Sequence, residues 1–171
     1  MGYEGGKVAH LVRPHLASAA ARRMADHGGQ RFLELVKQNT PIAPPPHPQE
    51  AAHWAKHRHG RKRGHARDSW AQKPVVKVAD EYVTGVESHD EVVRYLEWGT
   101  QPHEIRPKPG TRRLKFWSRG AWHFPVVVDH PGTHGQAMTR ISANKLEHEI
   151  TMGLFDPILL RWKYESERPV R

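Results

Sequence analysis

Histidine is the versatile chemical group that this sequence uses most freely, with 14 copies. Two sets lie close in sequence: His57, His59 and His65, then His123, His130 and His134. Zinc takes three or four imidazole, thiolate or carboxylate ligands. The first set sits among protonated neighbours that repel a dication, and neither set has an H-E-x-x-H frame. We therefore expect no metal and no cofactor. A Ser-His-Asp triad can be drawn from any chain so rich in histidine, but no G-x-S-x-G elbow supports one. Asp80, Glu81, Glu87, Asp90, Glu91 and Glu97 read as turn, cap and surface charges. No P-loop and no G-x-G-x-x-G is present. No residue is assigned a catalytic role, so the expectation is a protein that is not an enzyme. A His-dependent metalloenzyme ranks last among the readings.

Binding chemistry is better supported. Lys56, Arg58, Arg61, Lys62, Arg63 and Arg67 follow one another with no acid among them, and Trp54 stands just before. Such a run can neutralise phosphates and stack on bases. It can equally dock on an acidic protein surface. No recognised DNA-reading motif accompanies it. The whole chain leans the same way: 27 Lys plus Arg against 18 Asp plus Glu give +9 and a pI near 10.1. That balance favours polyanionic partners without choosing among nucleic acid, protein and lipid.

The elements that must position these residues form one α+β domain over residues 1–171, a length usual for a single domain. The apolar fraction is 37% and the mean hydropathy is -0.78. Part of the chain is thus expected to lie outside the core or to depend on neighbouring subunits. The absence of cysteine removes disulfide scaffolds, thiol nucleophiles and Cys-based zinc fingers. No apolar run is long enough for a membrane helix, and no secretory signal is apparent.

Residues 1–13 are Gly-rich and expected to be loosely held. Apolar spacing through Leu16, Ala20 and Met24, then Phe32, Leu35 and Val36, predicts a helix over 14–38, bent or broken at Gly28-Gly29. Residues 39–67 form a Pro-rich and basic arm, in which Pro41, Pro44, Pro45, Pro46 and Pro48 favour extended structure. An α+β core follows over 68–152. Val75–Val78 and Tyr82–Val86 are expected strands around an Asp80-Glu81 turn. Ser88-x-x-Glu91 has the form of a capping box and should open a helix that Gly99 stops. A polar loop then carries a short extended piece near Glu104–Arg106. Leu114–Trp117 and Ala121–Val128 should make a hairpin around Ser118-Arg119-Gly120. His130-Pro131-Gly132-Thr133 is a turn by composition. A second helix should start near Gln136 and be disturbed at Gly153 and Pro157. Residues 153–171 form a C-terminal extension with an apolar segment at 154–162 and a charged, frayed tail. The expected fold is a small antiparallel-rich sheet flanked by an N-terminal and a C-terminal helix.

One stretch says more. Tyr95-Leu96-Glu97-Trp98-Gly99-Thr100-Gln101-Pro102-His103-Glu104-Ile105-Arg106-Pro107 resembles a signature of the head–tail joining proteins of long-tailed phages. It is followed, as in that family, by Leu114-Lys115-Phe116, a turn, a returning strand, and His130-Pro131-Gly132-Thr133. Upstream, Gly64-His65-Ala66-Arg67-Asp68-Ser69-Trp70 resembles the family's Gly-x-Leu-x-x-Ser segment, with Ala66 at the Leu position. The resemblance covers residues 64–145, with the N-terminal helix matching by layout.

It implies a structural virion protein of the neck, of tail-completion or terminator type, assembled in the host cytoplasm. The implied partners are further copies in a ring (a hexamer, with a dodecamer as alternative), a head-side connector or stopper, and the tail tube or terminator protein. Packaged DNA would pass through the lumen, and no membrane is involved. Tyr95, Glu97, Trp98, Gly99, Thr100, Pro102, His103, Ile105, Pro107, His130, Pro131, Gly132 and Thr133 then read as fold and ring-contact residues. A ring needs two different faces that match between neighbours, and the 40–67 arm is the candidate for reaching across. Its cations would face DNA or an acidic neighbouring ring. The alternative reading is a standalone nucleic-acid-binding protein that uses residues 53–67.

Overall fold

The computed structural model describes residues 14–43, 45, 48, 51 and 63–167. Residues 1–13, most of the Pro-rich and basic arm, including Trp54, Lys56, His57, Arg58, His59, Arg61 and Lys62, and residues 168–171 lie outside the described residues. The chain divides into two compact units. The first takes in Met1–Asn39, Trp70–Ser88 and Thr139–Arg171; the second takes in Thr40–Ser69 and His89–Met138.

The first unit is built on α1 (Pro14–Asn39). Ala20, Leu35 and Val36 are buried on it, as the apolar spacing requires. The helix is not broken at Gly28-Gly29: it runs through both. Space, rather than chain flexibility, accounts for the pair. A Cβ at Gly29 would stand 2.5 Å from Gln72 Nε2 and 2.7 Å from Thr84 Cγ2, and one at Gly28 would stand 3.3 Å from Phe155 Cζ. The glycines let neighbouring elements approach the helix backbone. Gln72 Nε2 then donates to the Asp26 carbonyl at 3.2 Å.

Those neighbours are four short strands. β1 (Ala71–Gln72) pairs with β4 (Val86–Glu87), and β2 (Val76–Val78) pairs with β3 (Glu81–Val83), both antiparallel. The register Val78↔Glu81 moves the turn to Ala79-Asp80, one residue before the expected position, with Ala79 at φ 52°. Val75 falls outside β2, and Val86 joins β1 instead of extending β3. The Tyr82 hydroxyl hydrogen-bonds the Ser18 hydroxyl of α1.

Two helices close this unit, α4 (Met138–Thr151) and α5 (Asp156–Glu167), separated by Gly153 at φ 100°. α5 packs on α1. The helix reaches Glu167, so the charged segment after residue 163 begins as helix instead of fraying. Asn39 Nδ2 donates to Ser142 Oγ at 2.8 Å, and Lys145 Nζ donates to Asn39 Oδ1 at 3.0 Å. Ser142 is fully buried, so the end of α1 is fixed by a polar contact within the packed region. Arg31 grips Glu149 with two 2.7 Å bonds, from Nε and Nη2, while its Nη1 donates to Glu34 at 2.7 Å. Hydrogen bonds from Arg31, then its charge, hold the Glu149 carboxyl below its ordinary value against an opposing desolvation.

The second unit holds α2 (His65–Asp68), α3 (Glu91–Trp98) and six strands: β5 (Gly99–Thr100), β6 (His103–Ile105), β7 (Phe116–Ser118), β8 (Ala121–His123), β9 (Val128–His130) and β10 (Thr133–His134). The fold is α+β with helices at both ends. Among the described residues the strands form five separate two-stranded antiparallel pairs instead of one sheet. Breakers account for this: Pro74, Gly85, Pro102, Pro107, Pro125 and Pro131 stand between the strands and keep them short. Pro125 in particular splits the expected Ala121–Val128 strand into β8 and β9. The start of α4 is also later than expected. Gln136 and Ala137 donate their N–H groups to the Leu96 and Glu97 carbonyls, at 2.7 and 3.3 Å. They cap the end of α3, and Ala137 stands at φ 48°, outside the right-handed helical region, so α4 begins at Met138.

Candidate functional site

The signature residues fall on α3 and the strands beside it. α3 opens at Asp90, not Ser88: the Asp90 carboxylate accepts the Val92 N–H at 2.9 Å, an ordinary N-cap. The same carboxylate lies 3.1 Å from His65 Nε2, and α2 packs beside the start of α3. The upstream Gly64–Trp70 segment precedes the first strand as the resemblance implies. Gly64 takes φ 82°, Ala66 is buried at the Leu position, and Ser69 Oγ donates to the Ala66 carbonyl at 2.7 Å.

At its other end α3 stops at Gly99, φ 77°, whose N–H donates to the Tyr95 carbonyl. From here the two halves of the signature, about thirty residues apart, are paired strand to strand. Thr133 faces Thr100 and His134 faces Gly99 across β5–β10. His130 faces His103 and Val128 faces Ile105 across β6–β9. The Thr100 and Thr133 hydroxyls are 3.1 Å apart, and the Thr133 N–H donates to Thr100 Oγ1 at 3.1 Å.

Three glycines permit this approach. A Cβ at Gly99 would overlap the Thr133 carbonyl oxygen, and one at Gly132, φ 85°, would overlap that of Thr100. At Gly135 it would stand 2.5 Å from the Glu97 carbonyl oxygen. Gly135 escaped the sequence reading; the only trace of it there is its place two residues after the His-Pro-Gly-Thr turn.

The histidines of the signature are structural in their contacts. The His103 and His130 rings have centroids 5.1 Å apart. His103 Nδ1 meets the Gln101 carbonyl at 2.8 Å, and a carbonyl only accepts, so that nitrogen carries a proton. His130 Nδ1 accepts the Gly132 N–H at 3.0 Å, which fixes the turn and leaves its proton on Nε2. Among the described residues, no group of three or more histidines and carboxylates is placed to hold a metal ion.

Around this framework lie two clefts. One of about 490 Å³ is lined by Trp98, Thr100, Pro102, Pro131 and their neighbours. Another of about 700 Å³ is lined by Tyr95, His103, Ile105, His130 and residues beside them. The inner side of α3 is buried at Val93, while Tyr95 is 47% and Trp98 80% exposed. Pro107 lies outside both clefts. Of the basic arm, Arg63 Nε donates to the Ala43 carbonyl at 2.7 Å and Arg67 Nε to Asp68 Oδ1 at 2.9 Å; neither joins the signature residues. Among the described residues no helix is long and apolar enough to cross a membrane.

A backbone locked by glycines, with aromatic rings turned outward, is suited to contact with another macromolecule, and the comparisons with known proteins give that contact a setting in the phage virion. Residues 9–99 match the family described as "Bacteriophage HK97-gp10, putative tail-component". The match covers more than half of the chain, and the chain belongs to this family of bacteriophage tail components. The matched span ends at Gly99, so the partnering half of the signature, through Thr133, lies C-terminal to it. No curated protein and no solved structure matches the chain.

Proposed function

We propose that the protein is a non-enzymatic structural subunit of the phage neck, of tail-completion or terminator type. It works as a homo-oligomeric ring that joins the DNA-filled head to the tail. The observation that carries this reading is Trp98. It is the last residue of α3, 80% exposed, and followed directly by the glycine-locked β5–β10 pair. An exposed Trp on a backbone that cannot shift is a favourable anchor for a partner. Ring closure gives it one: a heterologous contact in which this surface meets a different face of the next copy. Tyr95, Ile105 and the two clefts extend the same surface, while His103, His130, Gly132 and Thr133 hold it in shape. The remaining faces are left for a head-side connector and for the tail tube or terminator protein.

Negative-stain electron microscopy with native mass spectrometry tests the reading on the full chain. Closed rings at high protein concentration, or a ring-sized band at the head–tail junction of particles, are expected. A 19.6 kDa monomer at all concentrations, absent from purified particles, would overturn it.

A further inference from the structure

We propose that the β7–β8 hairpin is a contact surface for the phosphate backbone of double-stranded DNA. The inference deepens the neck reading and rests on it for the presence of DNA beside the subunit. Between Glu104 and Asp129 the chain has six cations, Arg106, Lys108, Arg112, Arg113, Lys115 and Arg119, and no acid. All six are exposed. Arg106 is neutralised by Glu104, with Nε to Oε2 at 2.9 Å. The other contacts within this group leave the charge in place. Arg113 Nη1 donates to the neutral Phe124 carbonyl at 3.3 Å, and Lys115 Nζ lies 4.6 Å from the Trp122 ring centroid.

The hairpin mounts Arg119 at its turn and Lys115 beside its first strand, with Arg112 and Arg113 in the chain that enters its base, where Arg113 bonds Phe124. Phe116↔His123, Trp117↔Trp122 and Ser118↔Ala121 face each other across it. The Phe116 and His123 rings stack with centroids 5.5 Å apart, and the Trp117 and Trp122 rings meet edge to face at 5.4 Å. Arg119 and Gly120 take φ 51° and 79°, the left-handed pair that a two-residue hairpin turn demands. This places Arg119 at the tip. Side chains on a strand alternate between faces, so Lys115, Trp117 and Trp122 share one face. A hairpin with cations at its turn and its entering base, and no carboxylate between Glu104 and Asp129, is complementary to a row of phosphates, because counterion release rewards each phosphate neutralised. The contact is independent of base sequence, as a protein that meets whatever DNA is packaged requires.

The test is fluorescence anisotropy of the full chain with a labelled 30-base-pair duplex over a series of salt concentrations. Two hairpin variants are compared with wild type: Arg112→Gln/Arg119→Gln, and the same with Arg113→Gln and Lys115→Gln added. A third, Arg58→Gln/Arg61→Gln/Lys62→Gln, changes only the arm. We expect the log–log salt slope to fall by about two in the first and by about three to four in the second, with rings still seen by microscopy. Wild-type slopes in both hairpin variants, with the slope lost in the arm variant, would overturn the proposal. So would wild-type slopes in hairpin variants whose particles fail to join, which would assign the hairpin to an acidic protein face. Ring formation is read separately: monomers that keep the steep slope sink the ring reading and leave the hairpin proposal standing.

Discussion

Gly99 lies against Thr133 so closely that a Cβ on the glycine would overlap the threonine carbonyl oxygen. The same residue ends α3 at φ 77°, where L-residues are strained. Gly99→Val meets both obstacles, and neither backbone can yield without breaking the β5–β10 pair. We expect a loss of about 3 kcal/mol or more and unjoined or tailless particles. Urea unfolding of the purified variant and plaque counts check the two parts. Wild-type stability would show that the close approach is not maintained in solution.

Gly28 and Gly29 provide a contrast inside one helix. Alanine gains about 1 kcal/mol over glycine by helix propensity. At Gly28 the obstacle is the tip of the Phe155 ring at 3.3 Å, which can turn aside. At Gly29 the obstacles are Gln72 and Thr84, and Thr84 is held by its hydroxyl bond to the Lys73 carbonyl at 2.7 Å. Gly28→Ala is expected to be near neutral or stabilising, and Gly29→Ala destabilising by about 1–3 kcal/mol. The denaturation midpoints should fall in that order, with the m-value unchanged.

Trp98→Ser separates folding from assembly. The side chain is largely exposed, so its loss should change stability by no more than about 0.5 kcal/mol. Ring formation should nevertheless be lost or shifted to much higher concentration. Melting curves and native mass spectra of one preparation read both. Intact rings from a well-folded variant would remove Trp98 from the interface.

The Arg31–Glu149 pair predicts a pH dependence. Glu149 has its folded-state value depressed below the ordinary 4.5. A depressed carboxylate adds stability above its unfolded value and loses it as pH falls through the folded one. The melting temperature of wild type should therefore exceed that of Glu149→Gln by a constant margin at neutral pH. The margin should shrink as pH drops below 4.5. A margin that persists into strong acid would mean that charge at Glu149 is not its source.

Much of this was legible in the residues themselves, wherever local chemistry decides. The spacing of Ala20, Leu35 and Val36 marked the buried face of α1, and Gly99 marked the end of α3. The Arg119-Gly120 tip, and the signature that resembles phage head–tail joining proteins, were likewise readable as a linear pattern. Tertiary structure decided what depends on partners distant in sequence. Gly28-Gly29 read as a break because glycine is a poor helix former; only the nearness of Gln72, Thr84 and Phe155 shows that small size is what the position needs. Asp90 displaced Ser88 as the cap because its carboxylate accepts the Val92 N–H. Gln136 and Ala137 fall outside α4 because their N–H groups bond the end of α3 while Ala137 takes φ 48°, which no right-handed helix admits. The pairing of Thr100 with Thr133 and of His103 with His130 follows no local propensity, since strand register is set by the facing strand. The amino-acid sequence alone thus determined the main helices, the β7–β8 hairpin and the family. The tertiary structure decided which elements face one another, because close backbone approach and shared hydrogen bonds exist only once distant segments meet.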